Sequence, residues 1–308
     1  MAEKQKQEKS PMQKYTIKDF QRDFPNDVAC LEWLKEYRWP DGIHCEKCDK
    51  VTKHHQMTKR RSYSCQECGN HVHPTAGTIF HKSTTALTTW FYAVYLMAQT
   101  RTGISAKQIE RETGVTYKTA WRMFRLIRSR LDEDNDPFSG NVEVDETYFG
   151  GKAENMHKDK KEGMKRGRGS QNKTPIVGMV ERKGRIRAIV VPNVKAETLI
   201  PLIEDTIEPL SRVHTDEFNV YDTLEASGYQ HEQISHSAKV YVIGDVHTQT
   251  IDGFWSLIKR GIGGVYHQVS PNYLQHYVNE YAFRYNHRND VTPMFRTFLR
   301  RVGVGLDD

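Results

Sequence analysis

Three acids recur along this chain in settings that suit shared chemistry. Asp145 stands in Val142-Glu143-Val144-Asp145-Glu146-Thr147-Tyr148-Phe149, an alternation of apolar and acidic residues that runs up to Gly150-Gly151 and predicts a strand with Asp145 on one face. Arg212-Val213-His214-Thr215-Asp216 predicts a second strand ending in an acid. Asp252 falls in the first turn of a helix predicted by apolar residues at 251, 254, 255 and 258. Lys259, seven residues on, lies roughly 10 Å along that helix on nearly the same face. An isolated acid on an edge strand is ordinarily just solvated. One carboxylate from each of three separated elements is what a divalent-cation site made of oxygen ligands requires. Asp245 and Glu232 compete for the third position, but neither belongs to the helical pattern around Asp252.

A second constellation is Cys45-x-x-Cys48, sixteen residues, then Cys65-x-x-Cys68. Four thiolates in two knuckles close tetrahedrally around one Zn²⁺, and a unit this small needs the ion to stay folded. His44, His54, His55, His71 and His73 are nearby, but four cysteines already complete the set, so they are expected at the surface or behind the ligands. Cys30 is expected to be a small buried apolar residue.

The remaining sequence must position these groups. At 308 residues there is room for more than one domain, and the formal net charge of +6 favours a polyanionic partner. The lysine-rich start shows no secretory signal, and the longest apolar run, 90–98, is too short to span a bilayer. A soluble intracellular chain is expected, with no membrane partner.

Residues 1–14 are expected to be a disordered tail. Residues 15–84 comprise an amphipathic helix (Phe20, Phe24, Leu31, Leu34) up to Pro40, then the zinc ribbon. Lys59, Arg60 and Arg61 on its hairpin are candidates for nucleic-acid contact. Residues 85–131 predict a helix-turn-helix. Ser105 to Gln108 has capping-box spacing, Gly114 supplies a turn, and Thr116 opens a second helix. Eight Lys or Arg against two Glu between 101 and 130 make Thr116, Tyr117, Lys118 and Arg122 candidates for reading bases or holding phosphate. Arg125, Arg128 and Arg130 are expected to face backbone phosphate or solvent.

Residues 132–140 read as a linker into a domain spanning 141–265. Its basic insertion, 152–173, contains Lys165, Arg166 and Arg168 and is expected to be a mobile loop gripping a DNA backbone. A hairpin around Lys183-Gly184, a helix over 198–210, the Asp216 strand, a further strand near 231–236 and the Asp252 helix complete it. The C-terminal helices, 266–308, are expected to place Phe283, Tyr285 and Phe295 over the sheet, and Trp255 is expected to pack its helix on that sheet.

The motifs Val-Asp-Glu-Thr-Tyr-Phe-Gly-Gly-Lys at 144–152, His-Thr-Asp-Glu at 214–217, Thr-Ile-Asp-Gly-Phe-Trp-Ser-Leu-Ile-Lys-Arg-Gly-Ile at 250–262 and Phe-Arg-Tyr-Asn at 283–286 occur in one order. In that order they resemble the zinc-ribbon DDE insertion-sequence transposases, ISXO-like proteins related to the Merlin transposons. The resemblance covers roughly residues 20–300. It implies an α+β multidomain chain, with an N-terminal zinc ribbon and helix-turn-helix ahead of an RNase H-like mixed-sheet catalytic domain.

It further implies Asp145, Asp216 and Asp252 as ligands of two Mg²⁺ (or Mn²⁺) ions, with Lys259 and Arg260 holding phosphates. The expected reaction is metal-dependent cleavage and strand transfer on double-stranded DNA, at terminal inverted repeats and at target DNA. The expected assembly is a homodimer or larger synaptic complex, cytoplasmic and nucleoid-associated in a bacterium or nuclear in a eukaryote. One position departs from the pattern: the family usually carries Glu where Asp252 stands, one methylene longer. Two other readings are a catalytically silent DNA-binding regulator and a structure-selective RNase H-like nuclease.

Overall fold

The computed structural model describes residues 12–58, 60–133, 136–150, 173–233 and 248–305. The chain divides into two compact units, one of Met1–Leu131 with His287–Asp308 and one of Asp132–Asn286. The second unit thus begins inside the stretch expected as a linker. Phe138, within that stretch, is fully buried and bridges to Ile207. Lys59, the expected strand end beyond Gln233 and nearly all of the basic insertion, with Lys165, Arg166 and Arg168, lie outside the described residues.

In the first unit, the single helix expected over 15–40 is two, α1 (Ile17–Asp23) and α2 (Asp27–Arg38). Pro25 disfavours helical backbone at Phe24, and Asn26 restarts the helix by accepting the Ala29 N–H at 3.0 Å. The ribbon follows as β1 (His44–Cys45), β2 (Lys50–Val51), β3 (His54–Gln56), β4 (Tyr63–Cys65) and β5 (His71–Val72). Its strands form a two-stranded and a three-stranded sheet.

Next come α3 (Leu87–Gln99), α4 (Ala106–Thr113) and α5 (Tyr117–Arg128). Gly114 ends α4 in the left-handed region at φ 73°, a backbone that a side chain would strain. This gives the expected helix, tight turn, helix. The last helix, α9 (Met294–Gly303), belongs here too. Phe295 does not cover the second unit's sheet as expected; it stacks on Tyr15 at 4.8 Å between ring centres and meets Phe20, Phe24 and Tyr95. The apolar spacing correctly marked it as buried but carried no information about which core it enters.

The second unit is built on one mixed sheet. Its strands are β6 (Asn141–Phe149), β7 (Thr174–Glu181), β8 (Ile186–Val190), β9 (Arg212–Thr215) and β10 (Gln230–Gln233), in the order β10-β9-β6-β7-β8. β6, β7 and β8 form the expected antiparallel meander, while β9 runs parallel to both β6 and β10. Helix α6 (Ala196–Thr206) packs on one face, where Val142, Val144, Val177, Met179 and Val213 meet Leu199 and Ile203. Helices α7 (Gln249–Gly261) and α8 (Pro271–Asn286) cover the other with Ile251, Phe254, Trp255, Ile258, Leu274 and Val278. Among the described residues no helix is long and apolar enough to cross a membrane.

Candidate active site and metal centre

β6 carries three acids close together, and each has a different job. Strand alternation puts Glu143 and Asp145 on the α7 face and Glu146 on the opposite one. Glu143 is fully buried. Its Oε2 accepts the backbone N–H groups of Thr250 and Ile251 at 2.9 and 3.1 Å, and its Oε1 accepts the Thr250 hydroxyl at 2.9 Å and Arg182 Nε at 3.0 Å. The N-cap residue of α7, Thr248, makes no side-chain cap bond. Glu143 therefore supplies the cap from the strand beneath the helix, placing a carboxylate at the positive end of the helix dipole. On the other face Glu146 accepts the Tyr221 hydroxyl at 2.9 Å. That bond ties β6 to the 3-10 turn Asn219–Thr223, just after Asp216.

Asp145 lies between these two anchors. The parallel register of β6 with β9 ends at Glu143 opposite His214, and two residues further along the same register stand Asp145 and Asp216. Asp216 Oδ1 accepts the Phe218 N–H at 3.0 Å, which turns the chain away from the strand. Asp252, two residues beyond the Glu143 cap, lies on the exposed face of α7 with Gly253, Ser256, Lys259 and Arg260. Arg260 donates to Ser256 Oγ at 3.0 Å.

Burial pushes the Asp145 carboxyl up to about 7, and the nearby charges of Glu146, Asp216 and Asp252 push the same way, while a hydrogen bond from Trp255 opposes them. Burial also raises the Glu146 carboxyl, against the Tyr221 hydrogen bond. The charges of Asp216 and Asp252 are thus near enough to act on Asp145, although among the described residues the three acids do not gather as closely as the four cysteines do. Of their competitors, Glu232 instead faces Arg212 at 3.6 Å and His214 at 3.3 Å, and Asp245 lies outside the described residues.

Trp255 packs its helix on the sheet as expected, and its indole also reaches the acids: Nε1–H donates to Asp145 Oδ2 at 2.8 Å. Glu143, Tyr221 and this indole bond were not anticipated. Glu143 does have a local signal, because its two-residue offset from Asp145 puts both on one face.

The four cysteine sulfurs lie within 4.8 Å of one another with no disulfide among them. Among the described residues no other group of three or more potential ligands is that tightly clustered. Both knuckles close alike: Asp49 and Gly69 take left-handed backbone at φ 53° and 73°, and their N–H groups return to the Cys45 and Cys65 carbonyls at 2.8 and 3.0 Å. A hydrogen bond with the Thr52 hydroxyl draws the Cys65 thiol down to about 6, which favours the thiolate that binds metal. The donor set fits structural zinc. Cys30 is buried elsewhere, its thiol pushed up by that burial.

The expected DNA contacts divide. Lys118 and Arg122 are exposed on α5, as is Tyr117, with Lys107 Nζ 5.0 Å over its ring. The Thr116 hydroxyl accepts the Thr119 N–H as the helix cap. Arg60 is exposed, but Arg61 is committed to the Ser83 and Thr85 carbonyls and to Asp27 at 2.9 to 3.0 Å. Arg128, expected at phosphate or solvent, is 3 % exposed with its guanidinium 5.2 Å over the Phe124 ring; its place on the inner face of α5 overrides its charge.

Two family descriptions match this chain: an ISXO2-like transposase domain over residues 137–286 and a transposase zinc-ribbon domain over 25–71. An uncharacterized protein in transposable element ISH50 of Halobacterium salinarum is 29 % identical over 273 residues, which is 85 % of this chain and 92 % of that protein. An uncharacterized transposase-like protein of Haemophilus influenzae is 32 % identical over 104 residues, 34 % of this chain and 83 % of that one. A chain from the cryoEM structure of the simian T-cell lymphotropic virus intasome with PP2A regulatory subunit B56 gamma aligns over 60 % of this chain and 64 % of its own, at 13 % identity and a TM-score of 0.28; so low a score bears no weight. The chain belongs to the zinc-ribbon insertion-sequence transposases with an ISXO2-like domain.

Proposed function

We propose that this transposase cuts DNA at transposon ends and joins the freed ends to target DNA, using Asp145, Asp216 and Asp252 as the acids of an RNase H-like catalytic unit. The observation that carries the reading is the placement of these acids, with Asp145 on β6, Asp216 at the matching position just past its parallel neighbour β9 and Asp252 in the first turn of α7. The five-stranded mixed sheet with helices on both faces supports the RNase H-like assignment.

Asp145 and Asp216 would be shared ligands of two Mg²⁺ or Mn²⁺ ions and Asp252 a ligand of one. Bound there, such ions activate an attacking oxygen and stabilise a leaving one in in-line displacement at phosphorus. Water attacks the end phosphodiester, the bond from phosphorus to the 3′-oxygen breaks, and a 3′-OH is released. That hydroxyl then attacks a target phosphodiester and displaces its 3′-oxygen, so no covalent protein intermediate is required. Lys259 and Arg260, exposed on the same helix face as Asp252, would hold the phosphates.

Thr116, Tyr117, Lys118, Arg122 and Arg60 would meet the DNA ends, together with Lys59, Lys165, Arg166 and Arg168 from outside the described residues. Arg61 is better placed as a brace for the ribbon. Two ends must be paired, so a dimer or larger assembly is proposed.

Strand transfer tests this reading against that of a nuclease. With pre-cut ends carrying a free 3′-OH, supercoiled target and Mg²⁺, the expected product is end DNA covalently joined to target. Cleavage of uncut ends with no joining of pre-cut ones would instead make the protein a nuclease. Tight end binding without either product would make it a regulator.

A further inference from the structure

We propose that Trp255 is a positioning residue for the acidic site: its indole N–H holds one oxygen of Asp145, so that the carboxylate offers a divalent cation a single oriented oxygen. The inference rests on the reading of Asp145 as a metal ligand.

The packing is specific. Trp255 is 3 % exposed, within the apolar cluster of Ile251, Phe254 and Ile258, where phenylalanine would supply the same kind of surface. What tryptophan adds is a donor, and a buried indole N–H requires an acceptor. The one it meets is Asp145 Oδ2, at 2.8 Å.

The opposite strand is shaped to admit the ring. Gly178 pairs with Asp145 across β6 and β7, so a ring lying over Gly178 lies beside Asp145. A Cβ at 178 would come within 2.6 Å of Trp255 Cζ2, 2.8 Å of its Cη2 and 2.8 Å of Ile251 Cδ1, closer than any side chain tolerates. A glycine inside an otherwise apolar strand marks such a close approach. The Glu143 cap holds the start of α7 and the indole bond fixes the helix one turn further on. Asp252 lies between the two ties. Partners behind a metal ligand orient it and set its basicity, and losing one typically weakens metal binding by roughly 10- to 100-fold.

The test uses the full-length zinc-loaded protein and Mg²⁺ alone, without DNA. Trp255 is the one tryptophan between 132 and 286; Trp33, Trp39, Trp90 and Trp121 belong to the other unit. In a ¹⁵N–¹H spectrum of the indole groups, the Trp255 resonance is expected to move with Mg²⁺ at the midpoint given by calorimetry. Trp255→Phe is expected to bind Mg²⁺ about tenfold more weakly while remaining folded, with a melting temperature below the wild type because the smaller ring leaves a cavity. Gly178→Ala, which keeps the N–H but must displace the ring, should move affinity in the same direction.

An indole resonance that stays fixed while Mg²⁺ binds in an Asp145-dependent manner would overturn the proposal, and so would a wild-type midpoint in folded Trp255→Phe. If Trp255→Phe does not fold, the wild-type spectrum decides alone. Asp145→Asn titrating like the wild type would overturn both the proposal and the ligand reading beneath it.

Discussion

Replacing Cys65 with Ser is expected to release zinc and unfold the ribbon spanning β1 to β5. The four sulfurs within 4.8 Å of one another form the centre of a segment whose strands are only two or three residues long. So few residues cannot bury a core sufficient to offset chain entropy. Structural zinc in comparable small units contributes on the order of 10 kcal/mol or more of folding free energy, so the loss should be complete rather than graded. The expected record is less than one zinc per chain by metal analysis, rapid protease cleavage within residues 43–72, and a surviving melting transition from the 132–286 unit. A full zinc complement and wild-type protease resistance in Cys65→Ser would show that the ribbon does not depend on the ion. Removing zinc with a chelator should reproduce the mutant.

The second large effect is expected at Glu143. Glu143→Ala removes a fully buried carboxylate that accepts two backbone N–H groups, a hydroxyl and a guanidinium. It leaves Arg182, only 15 % exposed at its side chain, without this charge partner, and leaves the first turn of α7 without its cap. Breaking one side of a buried ion pair typically costs about 3–5 kcal/mol, and loss of a helix cap about 1 kcal/mol more. The 132–286 unit should therefore melt well below the wild type, while the zinc content and the other unit's transition stay unchanged. Glu143→Gln, which can still accept at its amide oxygen, should recover part of the loss. A wild-type melt for Glu143→Ala would mean that α7 is held by its apolar face alone.

What could be read beforehand was local. The Cys-x-x-Cys pairs declare a zinc site because chain spacing alone fixes the knuckles. The turn at Gly114 and the cap at Thr116 are short-range signals that the helix-turn-helix obeys. The placement of Asp145 beside Asp216 was legible because one stands on a recognisable strand and the other just past the end of a second, and two parallel neighbours bring equivalent positions together.

What escaped was nonlocal. The four groups that satisfy Glu143 come from Arg182 and from Thr250 and Ile251, and nothing near Glu143 announces them. Gly178 looks like an ordinary strand weakness until Trp255 is seen lying over it. Phe295 and Arg128 show two related limits: helical periodicity says that a position faces inward but not which core receives it, and a positive charge does not guarantee exposure. The break at Pro25 was visible in the sequence, yet the continuous apolar spacing from Phe20 to Leu34 masked it.

The central claim is that Asp145, Asp216 and Asp252 together perform the DNA chemistry. Its most direct measurement is cleavage of a labelled duplex bearing the element's terminal repeat, with Mg²⁺ or Mn²⁺, comparing the wild type with Asp145→Asn, Asp216→Asn, Asp252→Asn and Asp252→Glu. Each amide variant is expected to bind the repeat as the wild type does and to lose cleavage with both metals, whereas Asp252→Glu is expected to retain or increase it. Wild-type cleavage by any one of the amide variants would contradict the assignment of that acid, and metal-independent cleavage by the wild type would contradict the account as a whole.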